Sequence, residues 1–151
     1  MSPACVIELV TTETVDEVVA LFVGYLSFYN QHRDDDGPVR DFLRARVERG
    51  ESMIFLARVG GVPAGFTQVY PTFTSVRLGE ALELNDLFVH EDFRRMGIGR
   101  ALCERVIELG RERGSSKISL KTENTNTDAQ KLYELLGFAR EDRFYSYNFW
   151  L

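Results

Sequence analysis

The run Arg94-Arg95-Met96-Gly97-Ile98-Gly99-Arg100 constrains this chain more than any other stretch. It joins an apolar, strand-like segment, Leu82 to Val89, to an amphipathic, helix-like one, Ala101 to Arg113. Two glycines let the backbone approach a ligand, and the amides that follow open a helix. Those amides have no intrahelical partner and carry the positive end of the helix dipole. Arginines on either side add formal charge. A strand passing through such a turn into a helix is a ready site for a pyrophosphate, although the same spacing also serves as a plain tight turn into a helix, and it implies a parallel, right-handed crossover to the next strand.

Elsewhere the chain divides cleanly. Cys5 to Val10 reads as a strand. Val15 to Tyr29 reads as a helix with Val15, Val18, Val19, Phe22 and Leu26 on one side, opened by the capping-box spacing Thr14-x-x-Glu17. Val39 to Glu48 is a second helix with Phe42, Leu43 and Val47 inward, ended by Gly50. Met53 to Val59, a Gly60-Gly61 turn, Pro63 to Phe73 and Ala81 to Val89 form an antiparallel meander. A helix from Ile98 to Arg113 is closed by Gly114. Lys117 to Lys121 is a short strand, and Thr127 to Leu136 a helix closed by Gly137. Phe144 to Trp150 alternates aromatic and polar residues and reads as a last strand. The order β-α-α-β-β-β-α-β-α-β predicts an α/β fold with a mixed, mostly antiparallel sheet flanked by helices. The 151 residues, 44% of them hydrophobic, suit a single domain over 1–151.

Several functions are excluded on composition and spacing. A dinucleotide loop needs a third glycine where Leu102 stands, and a triphosphate loop needs Gly-Lys-Ser/Thr, which is absent. A net charge of −5 argues against a nucleic-acid-binding domain built on the basic loop. Cys5 and Cys103 show neither metal-ligand spacing nor a disulfide framework, and Cys103 shares a helix stripe with Ile107 and Gly110, so it reads as a small buried hydrophobe. No metal is expected. His32 and His90 read as surface residues, and Asp34-Asp35-Asp36 as a solvated turn. No apolar run approaches a membrane span, and Met1 to Ala4 carries no leader pattern, so a cytoplasmic protein is expected, with no membrane or nucleic-acid partner. The two-sided apolar character of the last strand predicts a homodimer.

Two motifs together resemble a known superfamily. Arg94-x-x-Gly97-x-Gly99 after an apolar strand, and Asn126-x-x-Ala129-x-x-x-Tyr133-x-x-x-Gly137-Phe138 downstream, look like the acyl-CoA loop and the later helix motif of the GNAT N-acetyltransferases. Gly65-Phe66-x-Gln68-x-Tyr70-Pro71 and Leu84-Asn85-Asp86-Leu87-Phe88-Val89 resemble a branch that includes polyamine- and histone-directed enzymes. The resemblance implies acetyl-CoA as cosubstrate and transfer of its acetyl group to a primary amine of a small molecule or a protein by direct attack. The alternative is a non-catalytic acyl-CoA-binding module. On this resemblance, backbone amides of Met96, Gly97, Ile98, Gly99 and Arg100 hold the pyrophosphate, with Arg94 and Arg95 nearby. The pantetheine arm lies along Leu87, Phe88 and Val89, where an N–H of Phe88 or its neighbour faces the developing oxyanion.

Tyr133 then becomes the general acid for the departing thiolate, and Asn126 contacts the CoA arm or caps its helix. A glutamate found in several relatives just before the strand's aspartate is Asn85 here, which accepts no proton. Glu83, sharing a face with Asn85 by simple alternation, and Asp86 are the candidate bases, acting directly or through water, with deprotonation by bulk water at the site mouth as the alternative. The acceptor site is expected from the first two helices, the turn after Phe73 and the last strand.

Overall fold

The computed structural model describes residues 4–151, so the reading of Met1, Ser2 and Pro3 as carrying no leader falls outside the described residues. Five strands form one sheet in the order β1-β2-β3-β4-β5. These are β1 Cys5–Leu9, β2 Met53–Val59, β3 Val62–Thr74, β4 Gly79–Val89 and β5 Ile118–Leu120. The first four pair antiparallel and β4 pairs parallel with β5, so the sheet is mixed as expected. The helices are α1 Asp16–Phe28, α2 Gly37–Glu48, α3 Ile98–Arg113 and α4 Thr127–Leu135. The chain forms two compact units, the first running through Lys121 and the second Thr122–Leu151.

In the first unit, α1 and α2 cover one face of the sheet. Val15, Val18, Val19, Leu21, Phe22, Val39 and Leu43 pack there against Ile54, Leu56 and Phe66. Burying these side chains contributes about 1.5–3 kcal/mol each. On α3, the stripe Ile98, Leu102, Cys103, Val106 and Gly110 is buried. Burial pushes the Cys103 thiol up to about 12, which agrees with its reading as an inert hydrophobe. Gly114 closes α3 at φ 67°, the left-handed conformation glycine tolerates best.

Three local expectations are corrected. The Thr14–Glu17 capping box does not form: α1 has no side-chain cap, and Glu17 instead binds the Arg58 guanidinium at 2.6 Å and 2.9 Å. A charge-assisted bidentate pair outcompetes a neutral cap. Phe42 lies 42% exposed, with the Arg46 guanidinium 4.7 Å from its ring centroid. A narrow apolar stripe on α2, Val39 and Leu43, already fills its share of the core. In the second unit, Asn126 caps α4 as expected, accepting the Ala129 N–H at 3.2 Å. The last strand is absent: residues 136–151 form no helix or strand, and Tyr145, Tyr147, Phe149 and Trp150 are all exposed. Aromatic alternation supplies strand propensity but not the ladder partner a strand requires.

Gly65 sets how closely β3 and β4 approach. A Cβ there would sit 2.8 Å from the Phe88 carbonyl oxygen and 3.3 Å from the Val89 Cα, both of them backbone. Gly65→Ala is therefore expected to destabilise the fold by about 1–3 kcal/mol, read as a lowered Tm. An unchanged Tm would show that the two strands can part freely.

Candidate active site

The centre of the first unit is a β-bulge. Gln68 pairs with Asp86 and Val69 with Leu84, so Asn85 is the extra residue on β4. Simple alternation put Glu83 with Asn85. The bulge overturns that: Glu83 pairs with Tyr70 and Asp86 with Gln68, two residues apart on β3, so both carboxylates lie on one face. Asn85 is exposed and reaches back, donating from Nδ2 to Asp86 Oδ1 at 3.1 Å.

Asp86 is 4% exposed. Its Oδ2 accepts from Gln68 Nε2 at 2.8 Å, and Gln68 Oε1 in turn accepts the Ser52 hydroxyl at 2.9 Å. The Tyr25 hydroxyl of α1 lies beside the same carboxylate. Burial raises the Asp86 pKa, and the donors Gln68, Tyr25 and Asn85 oppose that rise. Tyr70 is pushed up to about 12, first by burial and then by the negative charge of Asp86, with Arg46 opposing and Glu83 adding. Tyr25 is raised further by burial and by Asp86. Its ring stands among Phe22, Phe66 and Phe88 at centroid distances of 5.6, 5.9 and 6.4 Å. The face therefore carries two carboxylates beside a cluster of aromatic rings.

The bulge also decides which backbone groups β4 offers. Before it, the Leu82 N–H donates to Lys117 O at 2.9 Å, so Leu82 faces β5. After it, Asp86 O accepts from Thr67 Oγ1 at 2.8 Å and the His90 N–H donates to Ala64 O at 2.8 Å, so these even-numbered positions face β3. Leu87 and Val89 consequently point their backbone groups to the other edge. Pairing with β5 covers only Leu82–Leu84, and among the described residues no strand pairs with β4 beyond it. The N–H donors on this open edge are those of Leu87 and Val89. Phe88, the named candidate, faces β3; its neighbours face outward. Arg94 Nε donates to Val89 O at 3.2 Å, so this arginine braces the strand end.

From there the 3-10 turn Glu91–Phe93 leads into the glycine loop. Arg95 takes φ 64° and Gly97 φ 77°, and α3 begins at Ile98. The first helical bond runs from the Ala101 N–H to Gly97 O at 3.0 Å, leaving the amides of Ile98, Gly99 and Arg100 ahead of it. A Cβ on Gly97 would meet nothing within 4 Å. Gly97 is thus needed for its left-handed turn, with open space around it ahead of the amides. Arg95 and Met96 are exposed, and Arg100 pairs with Glu104 at 2.9 Å.

Glu83, Asp86, Leu87 to Val89 and Arg94 to Arg100 thus follow one another along β4, the loop and α3. Asn126 and Tyr133 belong to the second unit, on one helix; the Tyr133 ring lies 6.0 Å from that of Phe138. Sequence reasoning missed Tyr25 and Ser52 and did not single out Gln68 as a functional group. The available signal was a glutamine in the otherwise apolar run Phe66 to Tyr70, since a buried amide demands polar partners. His32 and His90 are peripheral: His32 contacts Asp34 at 2.9 Å, and His90 accepts the Asp92 N–H. Asp35 accepts the Gly37 N–H and Asp36 pairs with Arg40, so the acidic turn serves α2. Among the described residues no cluster of three metal-ligating side chains occurs. Among the described residues no helix is long and apolar enough to cross a membrane.

Comparison with known proteins bears on the same residues. The family model described as acetyltransferase (GNAT) family matches residues 15–138. The uncharacterized N-acetyltransferase YhfO of Bacillus subtilis (strain 168) is 38% identical, over 90% of this chain and 91% of its own. A thialysine N-epsilon-acetyltransferase of Caenorhabditis elegans is 26% identical, over 85% of this chain and 79% of its own. The crystal structure of a probable acetyltransferase superposes with a TM-score of 0.89 at 33% identity, covering 97% of both chains.

Proposed function

The chain belongs to the GNAT family and is an acetyl-CoA-dependent N-acetyltransferase, and from that premise we propose that its acceptor is a primary amine on a short, polyamine- or amino-acid-like molecule, acetylated by direct attack. The observation that carries this reading is the bulge that sets Glu83 and Asp86 on one aromatic-walled face. An alkyl ammonium has a pKa near ~10.4 and must lose a proton before it attacks. The carboxylate pair draws the cation in, and Asp86 takes its proton. The relative named for thialysine N-epsilon acetylation supports an amine of this kind.

Bound acetyl-CoA supplies the acetyl group as a thioester; the remaining work belongs to this chain. Loop amides from Met96 to Arg100 hold the pyrophosphate, with Arg95 adding charge. The outward N–H groups of Leu87 and Val89 hold the thioester arm and the carbonyl oxygen as it gains charge. Asn126 keeps the CoA contact its motif implies, in addition to its cap. Tyr133 donates a proton to the leaving thiolate: a phenol near ~10 can serve a thiol near ~8.5.

Tyr133→Phe tests this assignment. Turnover is expected to fall by about a hundredfold with the KM for acetyl-CoA little changed. Intact turnover would remove Tyr133 from the mechanism.

A further inference from the structure

Among the described residues the buried polar side chains are Ser52, Thr67, Gln68 and Asp86, and all of them converge on Asp86. Thr67 binds the Asp86 carbonyl, Gln68 binds its carboxylate, and Ser52 binds Gln68. None has an unsatisfied polar atom. A core serving stability alone gains more from apolar groups of the same volume than from a buried carboxylate and its retinue. The arrangement instead suits a group that changes its protonation state.

We propose that Gln68 is a positioning residue for amine acetylation: clamped by Ser52, its carboxamide orients the Asp86 carboxylate and reverses direction when Asp86 takes up the substrate's proton. The inference rests on the acetyl transfer proposed above. With Asp86 ionised, the Ser52 hydroxyl donates to Gln68 Oε1 at 2.9 Å and Gln68 Nε2 donates to Asp86 Oδ2 at 2.8 Å. When the substrate ammonium breaks an N–H bond, the electron pair stays on nitrogen and the proton goes to Asp86. Asp86 Oδ2 is then a donor. A half-turn of the Gln68 carboxamide presents Oε1 to it and Nε2 to the Ser52 oxygen. A hydroxyl both donates and accepts, so Ser52 completes the chain in either sense. No buried group is stranded in either state, and the proton passes to solvent before the next cycle.

The groups facing Asp86 are Tyr25 from α1, Gln68 and Tyr70 from β3, and Glu83 and Asn85 from β4; Arg46 of α2 acts on Tyr70. Of the hydrogen bonds to this carboxylate, the one from Gln68 lowers its pKa most.

The test follows the Asp86 carboxyl by 13C NMR titration of the intact protein, alongside the pH profile of kcat/KM with an amine acceptor. In Gln68→Met, which keeps the volume and removes the donor, the Asp86 midpoint is expected to move to higher pH. The acid limb of kcat/KM should move with it, while the KM for acetyl-CoA holds. Ser52→Ala should shift both in the same direction by less, and Ser52→Thr, retaining the hydroxyl, should restore the parent profile. A folded Gln68→Met protein with both midpoints unmoved overturns the proposal; if that variant fails to fold, an unmoved Ser52→Ala does so. Failure of the underlying function reads differently. The parent protein would then release no CoA with any amine although the Asp86 midpoint still responded to Gln68→Met, and the catalytic role would fall with it.

Discussion

Asp86→Asn is expected to slow acetyl transfer by about 10²–10⁴-fold while acetyl-CoA affinity stays within about twofold, because the substitution removes a proton acceptor and leaves the loop amides untouched. Its effect on stability should have the opposite sign. Burial holds the folded-state pKa of Asp86 above its ordinary value. A carboxyl raised on folding binds more protons in the native state across the window between its unfolded and native pKa values. Stability therefore falls as pH rises through that window, and above it the buried charge imposes a constant cost. Asparagine carries no such charge. The variant should accordingly match or exceed the parent in Tm at neutral pH and lose that advantage in acid. Glu83→Gln, at a half-exposed position, should reduce the rate by a smaller factor. CoA-thiol release and thermal melts across pH check both statements. A variant that keeps full turnover, or that loses stability most steeply at neutral pH, contradicts the assignment.

Phe66→Ala is expected to be the most damaging single truncation in the core, at about 3–5 kcal/mol. Phe66 is fully buried, and its ring lies 5.5 Å from that of Phe22, 5.9 Å from Tyr25 and 6.4 Å from Phe88. Removing it opens a cavity between α1 and the sheet, directly behind the Tyr25–Asp86 contact. For a chain of this size the loss corresponds to a Tm lowered by roughly 6–20 °C. Because Tyr25 loses its backing, the rate should fall even at temperatures where the variant remains folded. A melt within about 2 °C of the parent would mean that neighbouring side chains collapse into the space.

The strands and helices whose residues carry their own punctuation were legible without coordinates. β2 starts and stops at the residues expected, between Gly50 and the Gly60-Gly61 turn. α3 does so between Gly97 and Gly114, because both ends need a left-handed residue and glycine supplies it. The geometry of the glycine loop was legible for the same reason. What escaped depends on partners distant in sequence. Nothing in Leu82 to Val89 announces that Asn85 is extra; the bulge exists only in the pairing of β4 with β3, and it inverts the facing of every residue beyond it. The face shared by Glu83 and Asp86, and the outward N–H groups of Leu87 and Val89, follow from that one residue. Glu17 could cap its helix or bind Arg58, and only the fold brings Arg58 within reach. Phe144 to Trp150 has a strand's composition, but a ladder needs a second strand, which alternation cannot specify.

The most direct measurement is CoA-thiol release from acetyl-CoA across an amine panel of spermidine, spermine, short diamines, lysine-like amino acids, aminoglycosides and a lysine-rich peptide, each set against the rate without acceptor. Turnover is expected with a short-chain primary amine and is lost in Asp86→Asn. Acetyl-CoA binding without turnover on any amine would contradict the catalytic reading of the Glu83–Asp86 face, and absence of acetyl-CoA binding would contradict the assignment of the loop from Arg94 to Arg100.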